Sequence, residues 1–304
     1  MISTFKQNKI TWIDLECPTA EEVKSLMQKY SIHPLVAEEL LKPTIRPKVD
    51  VYKNFIYLIM HFPVFEQESK TSISYEIDFI IGKNFLITAH YKPITPLYEL
   101  TKVFEVGSIL GKDNMIKNPG LLVFFIIRQL YNFALRQLDH IQLKINNIED
   151  NIFKGREAEM VEVISCVRRD TLDFQRSIYG HESILNSLEL SGKEFFGQDF
   201  VHYINNISGE LARVKNILNN CKETMESLQS TNDSLLTDKT NDIMRFLATL
   251  SFLTFPMMLL TALFSMGTVS TPILGIKGDF WIIVGIIILS ITTMLIWFKQ
   301  KKWI

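Results

Sequence analysis

Across 304 residues there are three cysteines, Cys17, Cys166 and Cys221. Their number is odd, they lie far apart, and no CxxC or Cys/His ligand spacing occurs. That excludes a disulfide scaffold and a zinc module, and the three read as reduced, mostly packed thiols in a cytosolic compartment. Catalytic signatures are missing too. His33, His61, His90, His140, His181 and His202 sit in no HExxH or triad-like setting, and neither GxGxxG nor GxxxxGK[ST] is present. They are expected to be surface or packed residues, and neither an enzyme nor a covalently held cofactor is expected. Charge of one sign is not in excess: 32 Lys and Arg against 33 Asp and Glu give a formal charge of −1, so nothing favours nucleic acid as a partner. The opening MISTFKQNKITW lacks a charged-then-apolar signal pattern, and the polar part of the chain is expected to stay on the side of synthesis.

Charge is scarcest near the C-terminus. Ile243–Phe264 (IMRFLATLSFLTFPMMLLTALF) holds Arg245 in its first turn and no other ionisable side chain. Phe280–Phe298 (FWIIVGIIILSITTMLIWF) holds none. At ~1.5 Å per residue, helices of these lengths cross a hydrocarbon core of ~30 Å, so two adjacent transmembrane helices in a lipid bilayer are predicted. Lys299, Lys301 and Lys302 follow the second, whereas the loop 265–279 carries only Lys277 and Asp279. Retention of positive residues inside puts both chain ends in the cytoplasm, at the cell (plasma or inner) membrane.

Upstream, Ile10–Leu15 is a short β candidate, and Thr19 with Glu22 forms a T-x-x-E capping box that opens a helix to about Tyr30. His33-Pro34 starts another short helix. RPKVDVYKNFIYLIMHF reads as a strand pair or one long strand, and SISYEIDFII and NFLITAH as two more, with Gly82-Lys83 as the hairpin signal between them. Residues 1–110 thus form an α+β domain with a mostly antiparallel sheet. From Pro119 β signals vanish. Leu121–Ile127 is apolar but is ended by Arg128 far short of a span, and reads as a buried helix start. Two helices broken near Lys154-Gly155, with SGKEFFGQ as a turn, make 111–198 a helical hairpin.

A last helix is predicted to start near Asp199 and to run unbroken into the first span, so that 199–264 is one stalk-and-membrane helix, followed by loop 265–279, span 280–298 and basic tail 299–304. Ile204, Ile207, Leu211, Val214, Leu218, Cys221, Met225 and Leu228 alternate steps of three and four, a coiled-coil seam. Two ways of covering that seam stand open: a hairpin within the chain, or parallel self-association. The repeat continues into the membrane as Asn241, Met244, Ala248, Ser251, Phe255, Met258, Ala262 and Ser265, a face smaller and more polar than flanks holding Phe246, Leu250, Phe252, Leu253 and Leu259. Such a face goes to a helix interface or to a wet axis shared by several copies. In the second case Met244, Leu247 and Phe255 supply apolar rings suited to closure by dewetting.

Several segments in order resemble one family: Trp12-Ile13-Asp14-Leu15, Ile32-His33-Pro34-Leu35, Glu38-Glu39-Leu40-Leu41, Arg46-Pro47-Lys48-Val49, Gly82 to Thr88, Thr240-Asn241-Asp242-Ile243-Met244, Pro256 and the closing Lys301-Lys302-Trp303-Ile304. Together they look like the CorA family of divalent metal transporters over essentially the whole chain. The resemblance implies a homopentamer with an αβα cytosolic domain, long stalk helices and a pore lined by the first span. It implies passage of Mg²⁺, or in some members Co²⁺, Ni²⁺ or Zn²⁺, down its electrochemical gradient. The family's pore positions fall on Asn241, Met244, Leu247, Phe255 and Met258.

Two departures accompany the resemblance. Where the family carries Gly-Met-Asn at the outer mouth, this chain has Ser265-Met266-Gly267, so a ring of hydroxyls and backbone carbonyls replaces the carboxamide that holds hydrated Mg²⁺. In the family, a regulatory cation bridges an acid on the helix after His-Pro and an acid on a neighbouring stalk. Here the first matches Glu39, beside Glu38, and the second Ser230, with Asp233 one turn on, so a weaker site is implied. The leading function is Mg²⁺ transport, with Co²⁺ or Ni²⁺ as further cargo. The alternatives are a Zn²⁺ transporter of the same superfamily and a non-conducting membrane scaffold or sensor.

Overall fold

The computed structural model describes residues 2–7, 9–66, 71–109, 118–266 and 277–300. In chain order the elements are β1 (Ile2–Gln7), β2 (Ile10–Glu16), α1 (Ala20–Tyr30), α2 (Pro34–Glu39), β3 (Lys48–Val51), β4 (Phe55–Glu66), β5 (Thr71–Gly82) and β6 (Phe85–His90). Then follow α3 (Thr95–Ile109), α4 (Pro119–Phe153), α5 (Glu157–Ile178), α6 (His181–Phe196), α7 (Asp199–Ser265) and α8 (Asp279–Gln300). The chain divides into two compact units, Met1–Gln229 and Ser230–Ile304.

In the first unit the sheet order is β1-β2-β6-β5-β4-β3. Among the described residues only the β2–β6 pair is parallel; β4 and β5 pair antiparallel from Phe55↔Gly82 to Glu66↔Thr71. Successive side chains on a strand point to opposite faces, and here both faces are covered. Ile13, Leu15, Tyr57, Ile59, Ile80 and Ile87 pack with Val23 and Leu26 of α1 and Val36 and Leu40 of α2. The alternate residues, Trp12, Ile56, Leu58, Met60 and Phe62, are equally buried, and α3, α4 and α5 lie against the strands. The layering is helix, sheet, helix. The capping box forms as its spacing requires: Thr19 Oγ1 accepts from the Glu22 N–H at 3.4 Å, and the Thr19 N–H donates to Glu22 Oε2 at 2.9 Å.

Long-range polar contacts lock the layers. Asp170 of α5, almost wholly buried, accepts from the Ser72 N–H (2.8 Å) and O–H (2.7 Å) of β5 and from Lys144 Nζ of α4 (2.9 Å). His181 Nε2 donates to the His61 carbonyl at 2.7 Å, while Nδ1 accepts from the Tyr131 hydroxyl at 2.7 Å. Burial pushes its pKa down to about 3, so it is a neutral packed histidine.

Helical expectations are corrected at three places. The stretch after Pro119 is three helices, with a second break at Gly180, where a Cβ would stand 2.9 Å from Pro47 Cγ. SGKEFFGQ is not a turn: α6 continues to Phe196 and stops at Gly197, whose φ is +91°. The heptad seam finds its cover inside the chain. All eight seam residues from Ile204 to Leu228 are buried in the first unit. Their partner is α4, which carries Leu138, Ile141, Ile145, Ile148 and Ile152, again three and four apart and buried. Cys221 Sγ lies 3.4 Å from Gln142 Oε1, and the Tyr203 and Phe124 rings lie 5.4 Å apart. Both pairs are 79 positions apart in sequence, so α4 and this part of α7 run parallel in constant register. The self-association alternative for this seam therefore gives way to packing within one chain. The apolar start of α4, Leu121–Ile127, is buried except at Phe125, as a helix covering a sheet must be.

Candidate functional site

In the second unit the last third of α7 and all of α8 are long and apolar enough to cross a membrane, with mean hydropathy 1.9 and 2.4 over their most apolar windows. Those windows are 6% and 0% buried, so neither is a core helix of a water-soluble fold. Apolar surface of this extent needs hydrocarbon or other copies of itself around it.

The covered residues of α7 form one strip, while the uncovered ones take in the rest of the helix, Leu250, Phe252, Leu259 and Leu263 included. Thr249 is buried, and Leu253, Pro256, Met257, Leu260 and Phe264 are half-buried. With ~3.6 residues per turn these fall on one side of the helix. Asn241, Met244, Leu247, Ser251, Phe255, Met258, Ala262, Ser265 and Met266 are exposed and lie on the opposite side, with half-buried Ala248 among them. The protomer thus leaves uncovered the polar and small-residue stripe singled out in the sequence. It is the packing within the protomer that uses the other side.

Hydroxyls along this helix are tied back to it. Ser251 donates to the Leu247 carbonyl at 2.9 Å, Thr249 to Arg245 at 2.8 Å and Thr261 to Met257 at 2.8 Å. With its one proton spent, the Ser251 oxygen offers only lone pairs outward. Pro256 has no N–H for the Phe252 carbonyl, yet α7 continues through it. At the start of the span Arg245 lies 3.5 Å from Asp242, and both are exposed. Gly267, Lys301 and Lys302 lie outside the described residues, and Lys299 occupies the last turn of α8.

The regulatory candidates are placed as follows. Glu38 is exposed on α2, and Glu39 is half-buried with Lys48 Nζ 2.9 Å from Oε1 and 2.8 Å from Oε2. Lys48 also pairs with Asp50 at 2.7 Å. Ser230 and Asp233 are exposed in the second unit, and their carbonyls accept from Ser234 and Thr237. Among the described residues no group of three or more His, Cys, Asp or Glu side chains is arranged to hold a metal ion. The Glu39–Lys48–Asp50 arrangement was not read from the sequence. A lysine nine positions after an acid, across a loop, carries no local signal.

An apolar helical pair long enough to cross a membrane, attached to an αβα unit, defines the class as a membrane protein. The comparisons with known proteins make this specific. The family described as CorA-like Mg2+ transporter protein matches residues 7–300, and the chain belongs to it. It is therefore a divalent cation transporter, channel-like as that family is. It is 20% identical over 298 residues to the cobalt/magnesium transport protein CorA of Thermotoga maritima, covering 97% of this chain and 83% of that one. It is 23% identical over 294 residues to a putative metal ion transporter of Bacillus subtilis, covering 96% and 89%. The complete structure of the CorA magnesium transporter from Methanocaldococcus jannaschii superposes with a TM-score of 0.86 at 21% identity, covering 99% of this chain and 94% of that one.

Proposed function

We propose that this chain passes Mg²⁺, with Co²⁺ or Ni²⁺ as further cargo, through a homopentamer whose axis is lined by the α7 stripe. The transport is passive, down the electrochemical gradient, across the cell membrane, with both chain ends in the cytoplasm. The observation that carries this reading is the opposition of that stripe to the covered strip of α7. The uncovered side bears Asn241, Ser251 and Ser265 among Met244, Leu247, Ala248, Phe255, Met258 and Ala262, and apolar side chains alone would have been expected facing lipid. Hard cations are met by oxygen, and Mg²⁺ sheds water reluctantly, so outer-shell contact with amide, hydroxyl and carbonyl oxygens suits it. At the mouth Ser265, Met266 and Gly267 supply only such acceptors, fewer than the family's triplet, so weaker selection among divalent ions follows. A regulatory cation using Glu39 would have to displace Lys48, which supports feedback of low affinity at Glu38, Glu39, Ser230 and Asp233.

The test uses purified full-length protein in liposomes held inside-negative by a potassium gradient. Mg²⁺ entry followed by an entrapped indicator, competed by external Co²⁺, is the expected result. Native mass measurement on the same preparation should give five copies. No flux of any divalent ion, or a lone protomer, would overturn the proposal.

A further inference from the structure

One buried acid of the αβα unit lies outside the candidate path described above. Asp78 lies in the middle of β5 with no solvent exposure. Its Oδ2 accepts from two hydroxyls, Tyr91 at 3.2 Å and Tyr57 at 3.4 Å, while Oδ1 has no hydrogen-bond partner. Two residues along the same face of β5 is Glu76, also buried. Thr44 gives Glu76 two donors, its N–H at 2.6 Å and its hydroxyl at 3.2 Å, and His61 Nε2 stands 3.4 Å from Oε2. Of the two carboxyls, Glu76 therefore has the donors that hold a charge, and Asp78 is the one to take a proton, on Oδ2 beside the Tyr91 oxygen.

The charged and titratable groups around Asp78 are accounted for by element. They are Glu76 on β5, Tyr57 and His61 on β4, Tyr91 after β6, Glu39 at the end of α2, and Lys48 on β3. The one cation among them, Lys48, is held by Glu39 and Asp50. It reaches Tyr57 only across its ring, 5.3 Å from the centroid. Among the described residues no cation therefore pairs with a charge on Asp78. Burial, then the like charge of Glu76, hold the Asp78 carboxyl well above the usual carboxylate range.

Tyr91 connects this acid to α2. Its single hydroxyl proton has two acceptors in reach, Asp78 Oδ2 at 3.2 Å and the Glu39 carbonyl at 3.3 Å, and it can serve one at a time. The same Glu39 carbonyl accepts the Lys42 N–H at 3.2 Å and so closes the turn that ends α2. A cavity of about 600 Å³ lined by Thr44, His61, Glu76 and Tyr91 opens beside Glu76 and beside the Tyr91 that contacts Asp78.

We propose that Asp78 is a proton-binding switch: protonated, it takes the Tyr91 oxygen as acceptor and leaves the Tyr91 proton to the Glu39 carbonyl; ionised, it draws that proton to itself and frees the end of α2. The ligand is a proton, and the element it biases is the α2 C-terminus. Because the proton is held more tightly in the folded state, its stabilisation is complete below the ordinary carboxylate value. It is lost as pH rises through the higher folded value.

Full-length protein in detergent micelles provides the test, read two ways. Infrared spectra should show a protonated-carboxyl stretch at neutral pH that is absent in Asp78→Asn. Amide exchange, corrected for its intrinsic pH dependence, should show protection at Leu41 and Lys42 falling by up to about tenfold per pH unit as the band disappears. Asp78→Asn should abolish that pH response. Tyr91→Phe, a milder change that keeps the fold if Asp78→Asn does not, should retain the infrared band and lose the response at α2. A band unaffected by Asp78→Asn, or an α2 response intact in Tyr91→Phe, overturns the proposal.

Discussion

At the scale of single residues, two contacts give measurable consequences. His90 is buried, with Nδ1 2.7 Å from the Lys92 carbonyl and Nε2 3.4 Å from Asp14 Oδ2. Burial works against its charge, but the Asp14 carboxylate and the Lys92 carbonyl outweigh that, and its pKa is raised. A raised folded value means stability fully present below the unfolded value of about 6.5 and lost as pH rises through the folded one. The melting temperature of the wild type should therefore fall as pH rises above about 6.5, and Asp14→Asn should flatten that slope. Gly192 lies within α6 because the Phe200 ring occupies the space beside it: a Cβ there would stand 2.0 Å from the ring. Gly192→Ala should cost about 1–3 kcal/mol by overpacking, seen as a lower urea midpoint with unchanged slope.

At the scale of elements, the α4–α7 pair explains what the sequence could and could not say. The repeat from Ile204 to Leu228 was readable because each residue obeys the same spacing. Its partner was harder to see. Leu138 to Ile152 lies far upstream in sequence, and its periodicity blends with the sheet-covering stretch from Leu121 to Leu130. Which copy supplies the cover is a tertiary fact that no local pattern holds. Strands show the same limit: β4 is apolar on both sides because helices cover both, so alternation is weak there. β1 was missed because only two of its six residues, Ile2 and Phe5, are apolar and it sits at a sheet edge. Ile145, wholly buried in the α4 stripe, should cost about 2–5 kcal/mol when changed to Ala. Leu143, exposed on the same helix, should stay within about 0.5 kcal/mol. Paired denaturation curves check both.

At the scale of the whole molecule, the candidate path was legible because polarity on a membrane helix is costly and therefore conspicuous. Asn241, Ser251 and Ser265 stand out against Leu, Phe and Met. The regulatory acids were not legible beyond the resemblance, since charge on a solvated helix face is ordinary. Rebuilding the family's mouth by Ser265→Gly with Gly267→Asn should raise Mg²⁺ flux and sharpen its preference over Co²⁺ several-fold. That is the size of effect about 1 kcal/mol of better outer-shell contact gives. Flux confined to the double variant would instead favour a non-conducting natural protein.

The ring of Phe200 also touches the space left by Gly120, where a Cβ would stand 2.8 Å from it, so one aromatic keys α4, α6 and α7 together. Positions 120, 192 and 200 cannot then drift independently through evolution. Descendants that acquire a side chain at either glycine should carry a smaller residue at 200, a covariation that an alignment of related sequences can confirm or refute.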